Sequence, residues 1–320
     1  MRVTVVRALP GLGDLLCAVP ALRALREHHV TLIGLPQTRA IAERFGDLVD
    51  ELLDFPGFPG IPEVALDPAR TVAFLADQQR RPADLVLQLH GTGVASNPFC
   101  ELLGGRRVAG FAPRGTRRGA DFLPWVEDES EVLRPLRLLE HLGLPTAGRH
   151  TAFPITADDE REAAALGVEE PYAVLHPGSS LPDRRWPAAR FAATADALHE
   201  RGLVPVITGT PDEAPVVADV VGRMRAPHRD VCGATSLGAM AALLRGARVT
   251  VTNDTGTSHL AAAVGAPSVV LFMVTDPARW APPDRTRHRP VRAPAGVGDV
   301  LAEADGLLRA AAARASDSDS

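Results

Sequence analysis

The sequence predicts an α/β protein made of two Rossmann-like domains, and three observations point there. Strand-like apolar runs alternate with helical stretches, the pattern of a parallel sheet covered by helices. The second half of the chain repeats that alternation more clearly than the first. A length of 320 residues with 46% hydrophobic content supplies two ordinary cores.

Taken in order, the first half shows strand-like residues 2–7, an amphipathic stretch at 15–28, a strand at 30–34, a helical stretch at 38–45, a strand at 84–88 and a helix at 96–103. Residues 54–62, with a Phe-Pro-Gly-Phe-Pro-Gly-Ile-Pro run, read as a stiff loop. A helix at 131–142 is followed by a turn-rich linker, which places the domain boundary near residue 150. The second half shows strands at 172–176, 204–208, 248–253 and 268–272, with helices at 188–201, 213–224, 237–245 and 258–264. Residues 1–150 are therefore expected to form one domain and 151–314 the other, with 315–320 a disordered polar tail.

Composition excludes several classes of function. All 34 basic residues are Arg, so the P-loop lysine, the Schiff-base lysine and the kinase lysine are all absent. Cys17, Cys100 and Cys232 are odd in number and in no metal-ligand spacing, and read as buried reduced thiols. No apolar run reaches the ~18 residues of a membrane span, and the chain opens on a strand rather than a signal sequence. A cytoplasmic protein is expected, with at most peripheral membrane association. With a formal charge of -5, no nucleic-acid partner is expected.

Ligands of open parallel sheets bind beyond the carboxyl ends of strands, so the loops there carry the chemistry. Four stand out. The first is Gly11-Leu12-Gly13-Asp14, where two glycines admit a ligand close to the backbone at a helix start. Leu16 replaces the third glycine of a dinucleotide fingerprint, and no acid ends the second strand, which disfavours NAD. Asp14 reads either as a helix-start acid complementing the dipole or as a catalytic carboxylate. The second loop is His176-Pro177-Gly178-Ser179-Ser180, followed by Asp183-Arg184-Arg185-Trp186-Pro187. Its free N–H groups, hydroxyls and two guanidiniums suit a diphosphate, although an N-capping Ser and a surface Arg pair would look the same.

The third loop, Thr208-Gly209-Thr210-Pro211-Asp212-Glu213, places Glu213 in a first helical turn, where it could accept hydrogen bonds from a ribose diol or merely complement the dipole. The fourth is the most specific: the β-branched run 249–252 delivers Asn253-Asp254-Thr255-Gly256-Thr257-Ser258-His259 to a helix start, gathering backbone donors, hydroxyls and an imidazole as a phosphate cradle. His259 has a structural reading as well as a functional one.

Together these loops, with Pro20 in the first helix, the Leu260-Ala261 continuation and Thr275-Asp276-Pro277, resemble the family 9 glycosyltransferases, the heptosyltransferase family, over nearly the whole chain and in the same order. The resemblance implies a GT-B fold, two Rossmann-like domains facing a central cleft, with the acceptor bound by the first domain and the nucleotide-sugar donor by the second. Carried over, Asp14 beside Gly13 matches the family's general base. Arg184 falls where the family commonly has Lys facing the diphosphate, in the loop of Gly178, Ser179 and Ser180. Glu213, near Gly209, matches the ribose-binding acid, Thr235 a position beside the nucleobase, and Asp254, Thr255, Gly256 and His259 the donor-binding turn.

The implied reaction is inverting and metal-independent, with no cofactor beyond an ADP-linked sugar, ADP-heptose by precedent. The acceptor is a glycan: a lipopolysaccharide core, or a natural-product sugar or nucleoside. Residues 43–77 hold eight acids against two bases, which favours a neutral or cationic acceptor if they face the cleft and says nothing if they form an outer face. A GT-B sugar-nucleotide epimerase or hydrolase and a non-catalytic nucleotide-sugar-binding protein are the alternatives. The only Asp-x-Asp, at 317–319, reads as a solvated charge run rather than a metal site.

Overall fold

The computed structural model describes residues 1–146 and 148–318, which divide into two compact units, 1–149 and 150–320. In the first unit the elements run β1 (Arg2–Val6), α1 (Leu12–Ala24), β2 (His29–Gly34), α2 (Arg39–Ala42), β3 (Glu51–Asp54), α3 (Pro68–Arg80), β4 (Leu85–Gln88), α4 (Ser96–Leu102), β5 (Val108–Ala112), β6 (Phe122–Pro124) and α5 (Leu133–His141). The strands form one parallel sheet in the order β3-β2-β1-β4-β5-β6. In β1 and β4 nearly every residue is buried, as expected of central parallel strands covered on both faces. Phe99 of α4 anchors one face of the core, with its ring 5.1 Å from Phe55 and 5.3 Å from Phe58.

The second unit repeats the plan: α6 (Ala157–Ala165), β7 (Tyr172–His176), α7 (Ala188–His199), β8 (Val204–Ile207), α8 (Ala214–Val221), β9 (Arg229–Asp230), α9 (Leu237–Gly246), β10 (Val249–Asn253), α10 (Gly256–Ala263), β11 (Ser268–Phe272), α11 (Pro277–Trp280), β12 (His288–Arg292) and α12 (Val297–Ser318). Its parallel sheet has the order β12-β11-β10-β7-β8-β9. Trp186 and Phe191 pack edge to face at 5.3 Å against this sheet. In each unit the strand order reverses between two neighbours, β1 and β4 in the first and β7 and β10 in the second. The loops leaving those pairs therefore diverge, opening the crevice in which such sheets bind ligands.

Several elements differ from the sequence expectation. The stretch 38–45 is only one turn of α-helix, α2, between two 3₁₀ turns, Pro36–Thr38 and Glu43–Phe45. Asp54 closes β3 rather than opening a loop. Residues 315–318, expected as a disordered tail, continue the backbone of α12, because the Ala-rich run before them propagates the helix; 319 and 320 lie outside the described residues. Cys17 and Cys100 are buried, and burial pushes the Cys100 thiol well above its ordinary range, whereas Cys232 is only half-buried. Among the described residues no helix is long and apolar enough to cross a membrane.

Candidate active site

In the first unit, the β1–α1 turn is built around Asp14. Its carboxylate accepts the Gly11 N–H at 3.2 Å, closing a capping box over the start of α1. A Cβ on Gly11 would lie 2.4 Å from Asp14 Oδ2, so a side chain there would displace the carboxylate. Arg7, buried just past β1, holds the turn from beneath: Nε donates to the Asp14 carbonyl at 2.6 Å and Nη1 to the Leu89 carbonyl beyond β4 at 2.9 Å. Its Nη2 stands 3.9 Å from both Asp14 Oδ1 and Glu131 Oε2. The Asp14 side chain keeps 20% of its surface, so the carboxylate is fixed in place and still reachable.

Beside it, His90 is buried with Nε2 3.8 Å from Glu63 Oε1. Burial lowers the basicity of His90; Glu63 and Asp14 oppose that effect, and Arg7 adds to it.

In the second unit, the β7 loop is pinned to β10 by Asn253, a buried side chain at the strand end. Its Nδ2 donates to the carbonyls of Pro177 at 2.9 Å and Gly178 at 3.2 Å, while its Oδ1 accepts the Trp186 N–H at 3.0 Å. Arg185 turns inward to the Ser179 carbonyl, with Nε at 2.9 Å and Nη2 at 2.6 Å. Arg184 does not share that contact, and its buried Nε has no hydrogen-bond partner. The two arginines of the sequence motif thus differ: Arg185 shapes the loop, and Arg184 leaves its buried Nε without a partner. Ser179 is buried and Ser180 exposed.

Glu213 is brought against this same loop. Its Oε2 accepts the Thr210 N–H at 2.8 Å and lies 3.5 Å from His176 Nε2. A Cβ on Gly178 would come within 2.2 Å of the Glu213 carboxylate, so the glycine makes room for the acid. Gly209 plays a similar part, since a Cβ there would meet Val217 at 2.8 Å.

The β10 loop leads into α10. Thr255 caps the helix, accepting from the Thr257 N–H at 3.3 Å, and Ser258 donates to the Thr255 carbonyl at 2.7 Å. Gly256 opens the helix. Asp254 is buried and takes the Thr275 hydroxyl at 2.6 Å, so its carboxylate locks the turn to the loop after β11. His259, one turn into α10, is also buried and meets the edge of Trp280 at 6.1 Å. Thr235 lies half-buried in the turn before α9. Among the described residues no group of three or more His, Cys, Asp or Glu could hold a metal ion.

The structure thus gathers Gly178, Ser179, Glu213 and Arg184 with the Asp254–His259 turn on the carboxyl-end loops of one sheet, and Gly13 with Asp14 on those of the other. Sequence reasoning missed Arg7, Asn253 and His176 as the residues that hold these loops. Each had a signal: a polar residue ending an apolar strand that leads directly into a glycine-containing loop.

A family model described as glycosyltransferase family 9 (heptosyltransferase) matches residues 83–289. Lipopolysaccharide heptosyltransferase 3 of Escherichia coli K12 is 32% identical over 158 residues, 47% of this chain and 46% of that protein. The chain thus matches under half the length of that relative. A family 9 glycosyl transferase from Veillonella parvula superposes with a TM-score of 0.78 at 21% identity, covering 96% of this chain and 97% of the other. The E. coli ADP-heptose lps heptosyltransferase II superposes at 0.73 with 17% identity, over 96% and 98%. The fold class is accordingly α/β of the GT-B type, and the chain belongs to glycosyltransferase family 9.

Proposed function

We propose that this chain transfers a sugar, heptose from ADP-heptose, to an acceptor hydroxyl with inversion and without a metal ion. The observation that carries the reading is the second unit's loop cluster. One acid, Glu213, is packed against Gly178, one arginine is left unpaired at Nε, and a capped helix start lies beyond β10. That set suits a nucleoside diphosphate: the acid for ribose hydroxyls, Arg184 with the Ser179 loop and the α10 N–H groups for phosphate. Thr235 would lie beside the base. Charge developing on the departing diphosphate would be met by Arg184 and the α10 start, which makes a divalent ion unnecessary.

Asp14 would be the base. It is the reachable carboxylate of the first unit's switch-point loop, and its hydrogen bond from Gly11 fixes it for taking the proton of an attacking hydroxyl. For the acceptor, Glu63 matters more than the acidic count of 43–77. Asp50, Asp54, Asp67 and Asp77 each have a local partner, in Val30 N–H, Arg39, Arg70 N–H and Arg80 respectively. Glu63 instead lies at His90 with Oε2 buried and unpartnered. A carboxylate there favours a neutral or amino-bearing glycan over a phosphorylated core.

The test is product formation by the purified chain from ADP-heptose, with and without EDTA, against phosphorylated lipopolysaccharide core and against neutral and amino-sugar acceptors. Transfer that survives EDTA is expected. Free heptose or an epimerised donor as the only product would overturn the transferase reading, and strong preference for the phosphorylated core would overturn the acceptor reading.

A further inference from the structure

His176 ends β7, is buried, and meets two side chains of the Thr208–Glu213 loop, the Thr208 hydroxyl and the Glu213 carboxylate. Its Nδ1 lies 3.0 Å from Thr208 Oγ1 at the end of β8, and its Nε2 lies 3.5 Å from Glu213 Oε2. The Thr208 hydroxyl has two possible acceptors, His176 Nδ1 at 3.0 Å and the Leu175 carbonyl at 3.3 Å. With its proton on the nearer one, Nδ1 is the ring's acceptor and the ring hydrogen resides on Nε2, facing Glu213. The opposite tautomer would set a bare nitrogen lone pair against a carboxylate. Burial, which lowers the basicity of His176, agrees with a neutral ring held in one tautomer.

The contacts therefore run from Thr208 through His176 to Glu213, the last a 3.5 Å electrostatic contact on the same oxygen, Oε2, that takes the Thr210 N–H at 2.8 Å. That oxygen is held by two groups and the other carboxylate oxygen by none of these. Gly178 completes the arrangement, since its missing side chain leaves the carboxylate room beside the β7 loop.

We propose that His176 is a positioning residue for nucleotide recognition: anchored by Thr208, it fixes Oε2 of Glu213 so that Oε1 is presented to the ribose diol of the donor. The role rests on Glu213 being the ribose-binding acid. It is a role in orientation, since His176 itself is buried. A preset carboxylate loses less rotamer freedom when it accepts the two hydroxyls, and its affinity gain depends on the diol being there.

Calorimetric binding of ADP and of 2′,3′-dideoxy-ADP to the full chain reads this directly. Wild type is expected to prefer ADP by about tenfold or more, the scale of a hydrogen bond to a charged group. His176→Gln, whose amide nitrogen approximates Nε2, keeps that preference. His176→Asn, whose amide reaches only the Nδ1 position, binds ADP no more tightly than dideoxy-ADP while its dideoxy-ADP affinity stays within about twofold of wild type. Thr208→Val, which removes the hydroxyl that sets the tautomer, narrows the preference and serves where His176→Asn does not fold. A His176→Asn protein that keeps the full preference, or that loses both ligands in parallel, overturns the positioning role. A wild type that binds the two ligands equally, or binds neither, overturns the ribose reading of Glu213 and the role of His176 with it.

Discussion

Replacing Gly178 by Ala places a methyl group 2.2 Å from Glu213 Cδ and Oε1 and 2.5 Å from Oε2, distances at which one side must move. The loop cannot yield freely, because the Pro177 and Gly178 carbonyls are tied to Asn253. Gly178 has no positive φ, so the substitution adds no backbone strain of its own, and the whole effect passes through Glu213. Displacing that carboxylate breaks its bond from the Thr210 N–H, worth about 1 kcal/mol, and strands the buried ring of His176, at about 1–3 kcal/mol. The sum, about 2–4 kcal/mol, corresponds to a melting temperature roughly 5–15 °C lower for a unit of this size. Scanning calorimetry of the variant gives the shift, and ADP titration of the same sample should show weaker binding. Gly178→Ala with unchanged melting and unchanged ADP affinity would refute the packing of Glu213 on this loop.

Two further predictions concern stability. Asn253→Ala removes three buried hydrogen bonds that join β10 to the β7 loop, and should cost about 2–4 kcal/mol in denaturant unfolding while also weakening nucleotide binding. His288 is held by burial at a pKa of about 4, below its unfolded value, with Nδ1 2.9 Å from Ser268 Oγ. The unfolded chain therefore binds the extra proton first. This contribution is complete above about pH 6.5 and lost as pH falls towards 4, up to about 3 kcal/mol. His90 and His176, also lowered, act in the same direction. His288→Asn should flatten part of the decline in melting temperature across that range, and an unchanged slope would exclude His288 as a contributor.

The parts of the fold visible in the sequence are those whose residues are buried on both faces. Val249–Asn253 and Ser268–Phe272 are continuous apolar or β-branched runs because both faces of a central parallel strand are covered. The four edge strands, β3, β6, β9 and β12, gave no such run. β3 holds two leucines between two acids, β9 is two exposed charged residues, and β12 mixes His288, Arg289 and Arg292 with Pro290 and a single Val291. Helix α3 had a local signal that went unread, Asp67 before Pro68, whose carboxylate accepts the Arg70 N–H at 3.1 Å.

Among the candidate site residues, spacing identified the loops but not the division of labour within them. Arg184 and Arg185 are adjacent in sequence, yet only Arg185 reaches the Ser179 carbonyl, and nothing local distinguishes them. His176, Arg7 and Asn253 act across strands that are far apart in the chain, which no window of sequence contains.

The most direct test pairs turnover with donor binding in Asp14→Asn. Asn keeps an oxygen that can accept the Gly11 N–H, so the turn and the contacts of Arg7 to the main chain should survive. With ADP-heptose and whichever acceptor the product assay identifies, ADP release should fall by about 10²- to 10⁴-fold, the scale of a lost general base. The ADP dissociation constant should stay within about twofold of wild type. Turnover in Asp14→Asn equal to that of wild type would contradict the assignment of Asp14 as the base.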